Sequence, residues 1–375
     1  MKARTLVLGN GVAGAEKQAL ALAEKIALPF SLHRNLPRRG ALLVPTPATL
    51  ALSRLAFGRR LLGLEEFTPP HPAVAVSCGR ASIPASTALR AASRGRTLTV
   101  HVQRPACSES CFDLVVAPRH DYDGVGSLPE NVLLTEGALH GVSPDGLRAS
   151  RVEWAAELEP LPAPRIALLV GGLVSRRWWQ RPLAPDLTAD AARELVRSAL
   201  AAADESSGSL LVATSRRTPD AARRAIDDEL QRRRHGGAAL VTDAFGSGED
   251  ECDERAGGER VPHRLWEPDA VPNPFGGLLA WADYLLVTSD SINMVSEACG
   301  TGKCVYVWRA RECSRRFLAF HERLLETGRA REWRGALEPP SFWSGCHEGG
   351  DRDTARAAAR VLQMLADRNV VSAQL

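Results

Sequence analysis

The chain has 375 residues, 45% hydrophobic and 24% charged, proportions of an ordinary globular protein that exclude a fibrous or wholly disordered architecture. Its length exceeds one typical core and suits two domains. The 47 basic and 44 acidic side chains leave a net charge of +3, too balanced to mark a nucleic-acid binder or a chain steered to a membrane by its overall field.

The opening MKARTLVLGNG runs directly into an apolar strand, with no secretory h-region and no Arg-rich presequence. No uninterrupted apolar stretch approaches the roughly 18 to 20 residues a spanning helix needs. Any membrane contact is therefore expected to be peripheral and mediated by a protein partner.

In chain order, the pattern predicts a strand at Thr5–Leu8, a GNGVAG turn and a helix from Ala15 to Ala27. Further strands are predicted at Ala73–Ser77, Leu98–Gln103, Leu114–Ala117 and Val132–Thr135. Short apolar runs separated by helical patterns are the mark of parallel strands joined by crossover helices. The segment EPLPAPR, residues 159–165, then places three prolines where helix and strand are both disfavoured. We place the domain boundary there, giving an N-terminal Rossmann-like domain over 1–160 and a second over 163–350.

The second domain opens with the strand Ile166–Val170 running into Gly171-Gly172. It continues with a helix at Asp190–Ala203, a strand at Leu210–Thr214, a helix at Asp220–Arg233, a strand at Leu285–Thr288, a helix at Ser291–Gly300 and a strand at Val305–Trp308. Residues 243–260, rich in acids and glycine, are predicted to be a solvated loop, with an acidic docking segment as the alternative. Within 351–375, Ala358, Val361, Leu362 and Leu365 share one helical face, which predicts a final helix packing back on the N-terminal domain.

Eight cysteines, at 78, 107, 111, 252, 299, 304, 313 and 346, include no C-x-x-C pair. Cys107 and Cys111 lack a second pair to complete four metal ligands. Reduced thiols, no metal and no cofactor are expected.

Three loops have the composition of a phosphate or sugar site. The first, Gly9-Asn10-Gly11-Val12-Ala13-Gly14, reads G-x-G-x-x-G between strand and helix, with Asn10, Gly11 and Gly14 as its candidates. An acid about 20 residues on would complete a dinucleotide site. The chain instead reads PFSLHRNLP there, so the turn is as well explained as a structural connection.

The second loop, Ser215-Arg216-Arg217-Thr218-Pro219, follows a strand's carboxyl end, where Arg216 and Arg217 suit a diphosphate; a solvated loop with Thr218 capping the next helix is the alternative. The third is Thr288-Ser289-Asp290-Ser291 with Glu297 about two turns into the following helix. Helix amides meet phosphate while a carboxylate takes ribose hydroxyls, although capping alone also accounts for Ser289 to Ser291. For a general base, His101, His120, Asp121 and His140 fall at or after strand ends, and none stands out.

SDSINMVSEACGTGK followed by CVYVW resembles the C-terminal signature of the mitochondrial fission family typified by the plant elongated-mitochondria factor. GNGVAGAEKQ, HVQRP, FDLVVAPRHDY, LLTEGALHGV, SRRTP and NPFGGLLAWAD resemble further blocks of that family in the same order. Cys304 stands where the family has proline, and residues 40–72 are shorter. The resemblance implies two Rossmann-like domains facing each other across a cleft, as in GT-B glycosyltransferases. It also implies action at the cytosolic face of the outer mitochondrial membrane, promoting recruitment of a dynamin-related GTPase. The scaffold implies an alternative, metal-independent transfer from a nucleoside-diphosphate sugar.

Overall fold

The structure is a computed structural model that describes residues 3–34, 36, 46–64, 67–172, 187–235, 261–309, 315–343 and 349–369. The acidic segment 243–260 lies outside the described residues. The chain forms two compact units, one of Met1–Ser143 with Gly350–Leu375 and one of Pro144–Gly349.

Unit 1 contains β1 (Thr5–Leu8), α1 (Ala13–Ile26), β2 (Phe30–His33), α2 (Thr46–Ser53), α3 (Ala56–Leu62), β3 (Val74–Cys78), α4 (Ile83–Ala92), β4 (Leu98–Val102), β5 (Leu114–Pro118) and β6 (Val132–Thr135). The six strands form one parallel sheet in the order β2-β1-β3-β4-β5-β6, with Thr5 beside Val74 and Val76 beside Val100. VAVSC, LTVHV and LVVAP are buried at every position, as strands covered on both faces must be. Strand β2, on the sheet's edge, is exposed at Phe30, Ser31 and Leu32, which explains why it has no apolar run to read.

Unit 2 contains α5 (Pro144–Glu153), α6 (Ala155–Leu158), β7 (Arg165–Val170), α7 (Ala189–Glu205), β8 (Ser209–Thr214), α8 (Asp220–His235), β9 (His263–Trp266), α9 (Phe275–Trp281), β10 (Tyr284–Thr288), α10 (Ile292–Cys299), β11 (Cys304–Trp308), α11 (Arg315–Glu326) and β12 (Arg331–Glu332). Its parallel sheet runs β12-β11-β10-β7-β8-β9. An apolar cluster on one side of it runs from Ile166, Leu168 and Val170 through Leu195, Val196 and Ile226 to Tyr306 and Trp333.

By contacts the chain divides at Ser143–Pro144 rather than at the proline segment 159–165, which lies inside unit 2. The cause is α5, which packs against α9. Trp281 Nε1 donates to the Arg151 carbonyl at 2.9 Å, and the Arg151 guanidinium lies 4.1 Å from the Trp281 ring centroid. A side chain at Gly277 would run into the Trp154 indole, so glycine is required there.

The last helix, α12 (Arg352–Asp367), belongs to unit 1 and packs on α1. Ala357, Ala358, Val361 and Leu365 are its buried face. Val361 and Leu365 each contribute about 1.5 to 3 kcal/mol by burial. Thr354 Oγ1 donates to the His140 carbonyl at 2.9 Å and accepts the His140 amide at 3.1 Å, and Asp353 accepts the Glu136 amide at 2.7 Å.

Candidate functional site

In an open parallel sheet, the place where chain order reverses splays two neighbouring loops apart at the strands' carboxyl ends. In unit 2 this switch point lies between β7 and β10. Gly171-Gly172 follow β7 and Ser289-Asp290-Ser291 follow β10, while Ser215 to Thr218 follow the adjacent β8. The structure thus gathers the second and third candidate loops into one site.

Local chemistry fixes these loops. The Gly171 amide donates to Thr288 Oγ1 at 2.8 Å, and the Gly172 amide donates to an Asp290 carboxylate oxygen. Thr218 Oγ1 accepts the Ser215 amide at 2.9 Å and donates toward the Val170 carbonyl at 3.1 Å and the Gly171 carbonyl. Thr218 therefore ties the β8 loop to the end of β7, whereas the sequence offered it as a helix cap. A side chain at Gly171 would overlap the Asp290 carboxylate, and one at Gly172 would overlap the backbone of Arg217 and Thr218. The glycine pair is what lets the three loops meet.

Ser291 Oγ caps α10 by accepting the Met294 amide at 3.4 Å, and Arg217 Nη2 reaches the same oxygen at 3.3 Å. Arg217 thus brings a guanidinium to a helix N-terminus, where backbone amides favour an anion. Arg216 is exposed beside it. Glu297 is half-buried on α10, six residues beyond Ser291, about 9 Å along the axis at 1.5 Å per residue.

One group behind the loops, and one at the opposite, amino ends of the strands, were not singled out by sequence. His321 on α11 is wholly buried and its Nε2 donates to the Ser289 carbonyl at 2.8 Å; burial lowers its pKa to about 4, so it holds the turn as a neutral ring. Lys303, in the GTGK of the signature, donates from Nζ to the carbonyls of Leu279, Ala280 and Ala282 at 2.8, 2.7 and 2.6 Å. It closes the C-terminus of α9, where cations are favourable, and is a structural lysine.

Asp290 is 8% exposed, and burial raises its pKa from 3.8 to about 6 against the opposing hydrogen bonds from Thr288 and the Gly172 amide and the Arg217 charge. A carboxyl with a raised folded-state pKa binds more protons folded than unfolded between those two values. Its contribution is therefore fully present below pH 3.8 and lost as pH rises through 6. The size is about 3 kcal/mol, taking roughly 1.4 kcal/mol per pKa unit. Urea unfolding should show wild-type stability falling by that order relative to Asp290→Asn between about pH 4 and pH 7. A pH-independent difference between the two proteins would contradict this placement of the carboxyl.

Unit 1 has its own switch point, between β1 and β3, and Asn10 spans it. Its Nδ2 donates to the Cys78 carbonyl and its Oδ1 accepts the Val12 amide, both at 2.9 Å. Gly11 has φ 75°, left-handed backbone that favours glycine. Its amide donates to Glu16 Oε1 at 2.7 Å, and Arg34 holds both Glu16 oxygens at 2.8 and 2.7 Å. That pairing, chiefly the Arg34 hydrogen bond, keeps the Glu16 carboxyl below its usual pKa. An internal carboxylate thus takes an amide that a dinucleotide fold offers to phosphate. Gly14 opens the first turn of α1, and its carbonyl accepts Gln18 Nε2 at 3.4 Å.

Among the candidate bases, His101 is wholly buried, bonded through Nδ1 to Ser77 Oγ at 2.9 Å and stacked on Phe112 at 4.6 Å; burial lowers its pKa to about 3. It is a core residue. His120 Nε2 lies 3.5 Å from Asp121 Oδ1, with both side chains buried. His140 Nδ1 accepts the Val142 amide at 3.3 Å.

The family described as Mitochondrial fission ELM1 matches residues 13–247 and 254–365. The chain belongs to the mitochondrial fission ELM1 family. It is 29% identical over 326 residues to the mitochondrial fission protein ELM1 of Arabidopsis thaliana, covering 82% of this chain and 67% of that protein. Its fold is similar to a Listeria monocytogenes protein assigned as a UDP-N-acetylglucosamine 2-epimerase, with TM-score 0.53 and 14% identity over 99% of this chain and 98% of that one. A second UDP-N-acetylglucosamine 2-epimerase gives TM-score 0.50 and 13% identity, covering 100% and 98%. These similarities establish a GT-B-like fold class for the family member, with two Rossmann-like sheets. No helix among the described residues is long and apolar enough to cross a membrane.

Proposed function

We propose that this chain is a fission factor that acts at the cytosolic face of the outer mitochondrial membrane and promotes recruitment of a dynamin-related GTPase. We further propose that its unit 2 switch point holds a nucleoside diphosphate or nucleoside-diphosphate sugar. The family match across most of the chain carries the first part. The observation that carries the second is Arg217 reaching Ser291 at the N-terminus of α10, beside the paired glycines that follow β7. Phosphate would meet the guanidinium and the helix amides, and Glu297 would serve the ribose.

Added to isolated mitochondria, the purified chain should increase the amount of dynamin-related GTPase that sediments with them. Protease applied to intact mitochondria should remove the bound chain. A chain protected behind an unbroken outer membrane, or unchanged GTPase sedimentation, would overturn the fission reading.

A second reading, metal-independent sugar transfer, is supported by the same switch-point geometry and by the likeness to UDP-sugar epimerases. It differs in requiring turnover. Release of UDP from UDP-N-acetylglucosamine in the presence of a chelator, with an added acceptor, separates the two.

A further inference from the structure

The segment between β4 and β5 of unit 1 turns back on itself and sets two thiols together. The Cys111 amide donates to the Ser108 carbonyl at 3.1 Å and the Phe112 amide to the Glu109 carbonyl at 3.0 Å. Asn131 Nδ2 ties the turn down by donating to the carbonyls of Glu109 and Phe112 at 2.9 and 3.0 Å. Cys107 and Cys111 both pack on the apolar cluster of Leu50, Phe112 and Tyr122, and both are free thiols and only half-buried. The two thiols are in hydrogen-bonding contact with each other.

Their surroundings give the two sulfurs different roles. Arg54 Nη2 lies 3.9 Å from Cys111 Sγ, and a guanidinium beside a sulfur favours the thiolate, the form that attacks other sulfurs. Burial, followed by the charge and hydrogen bond of Cys111, pushes the Cys107 thiol up to about 12 and keeps it protonated. The last two causes disappear once Cys111 is bonded to another sulfur, which eases ionisation of Cys107 at the moment it has a disulfide beside it to attack. Cys78, Cys299 and Cys304 are buried, where thiols are inert to solutes.

We propose that Cys107 and Cys111 form a reversible thiol–disulfide site that exchanges with low-molecular-weight disulfides. The Cys111 thiolate attacks one sulfur of the small disulfide, forming a mixed disulfide and expelling one small thiolate, which takes up the proton Cys111 had released. Cys107 then releases its proton to solvent and attacks the Cys111 sulfur, expelling the second small thiolate, which is protonated in turn. One disulfide is broken and one formed: the protein gives up two electrons and two protons, and the small disulfide is reduced to two thiols. The turn is already folded in the reduced protein, so closing the bond requires no unfolding. The site involves neither switch point and stands or falls separately from the proposed function.

Treating the purified, reduced full chain with excess oxidised glutathione, alkylating the remaining thiols and digesting with trypsin tests it. Trypsin does not cut between Arg104 and Pro105, so residues 97–119 leave as one peptide that holds Cys107 and Cys111 and no other cysteine. That peptide should emerge unalkylated and lighter by two hydrogens than its reduced form, and dithiothreitol should restore two alkylatable thiols. Cys107→Ser should stop at a glutathione adduct on Cys111, and Cys111→Ser should leave Cys107 open to alkylation. Arg54→Gln should slow the first step about twofold to threefold, because the loss of thiolate is partly offset by its greater nucleophilicity. The wild-type peptide alone decides the matter. Two alkylated cysteines after treatment, a lasting glutathione adduct on Cys111 with Cys107 still alkylatable, or Cys107 joined to a cysteine outside the peptide would each overturn the proposal.

Discussion

Replacing Gly172 by alanine should cost unit 2 about 3 kcal/mol or more, a larger loss than a substitution at an exposed position. The added carbon would overlap the Arg217 carbonyl group and the Thr218 amide nitrogen, which are backbone and have no rotamer to yield. Overpacking where side chains can adjust typically costs about 1 to 3 kcal/mol. Here relief requires separating the β7 and β8 loops, which stretches the bonds from Thr218 Oγ1 to the Val170 and Gly171 carbonyls and displaces the Gly172 amide from Asp290. Gly126→Ala is the matched control, because nothing lies within 4 Å of a carbon added there. It should change stability by less than about 0.5 kcal/mol. Urea unfolding of the three proteins checks this, and a Gly172→Ala protein as stable as the control would show that the loops do not meet as described.

The glycine pair was visible in the sequence, but its purpose was not. Continuous apolar runs such as RIALLV and YLLVT announce strands buried on both faces, and the two parallel sheets were legible from them. The strands without such runs are all edge strands: FSLH on the edge of the unit 1 sheet, and HRLW and the two-residue β12 on the two edges of the unit 2 sheet. Helix α9 was hidden by Gly276-Gly277, residues poor for helices in isolation, kept here because Ser150 lies against the first and the Trp154 indole against the second.

The site was half legible for a similar reason. Ser289 to Ser291 and the Arg216-Arg217 pair carry their chemistry in their composition. That they share one place depends on strand order, which puts β10 beside β7 and β7 beside β8 and leaves no local trace. The same holds for Arg34 and Glu16, 18 residues apart, where an internal ion pair completes the glycine turn of unit 1. The α5 contacts with α9 moved the division of the chain for the same cause, since a proline run marks a break in secondary structure and not the limit of packing.

The second large effect concerns ligand binding by unit 2, where Arg217→Ala should weaken a nucleoside diphosphate about tenfold or more. A charge-assisted hydrogen bond contributes about 1.5 to 3 kcal/mol, and a helix N-terminus about 0.3 to 1 kcal/mol at an exposed site. Micromolar affinity needs about 8 kcal/mol, so base stacking and the Glu297 contact must supply the remainder, and Glu297→Ala should also weaken binding about tenfold. Arg217 is exposed, so its loss should leave the fold intact. Arg216, beside it and exposed, should matter less. Isothermal titration of the full chain with UDP and UDP-N-acetylglucosamine is the most direct test of the switch-point site. The account predicts saturable micromolar binding by the wild type, at least tenfold weaker in Arg217→Ala with an unchanged melting curve. No binding heat at millimolar ligand, or equal affinity in the two proteins, would contradict it.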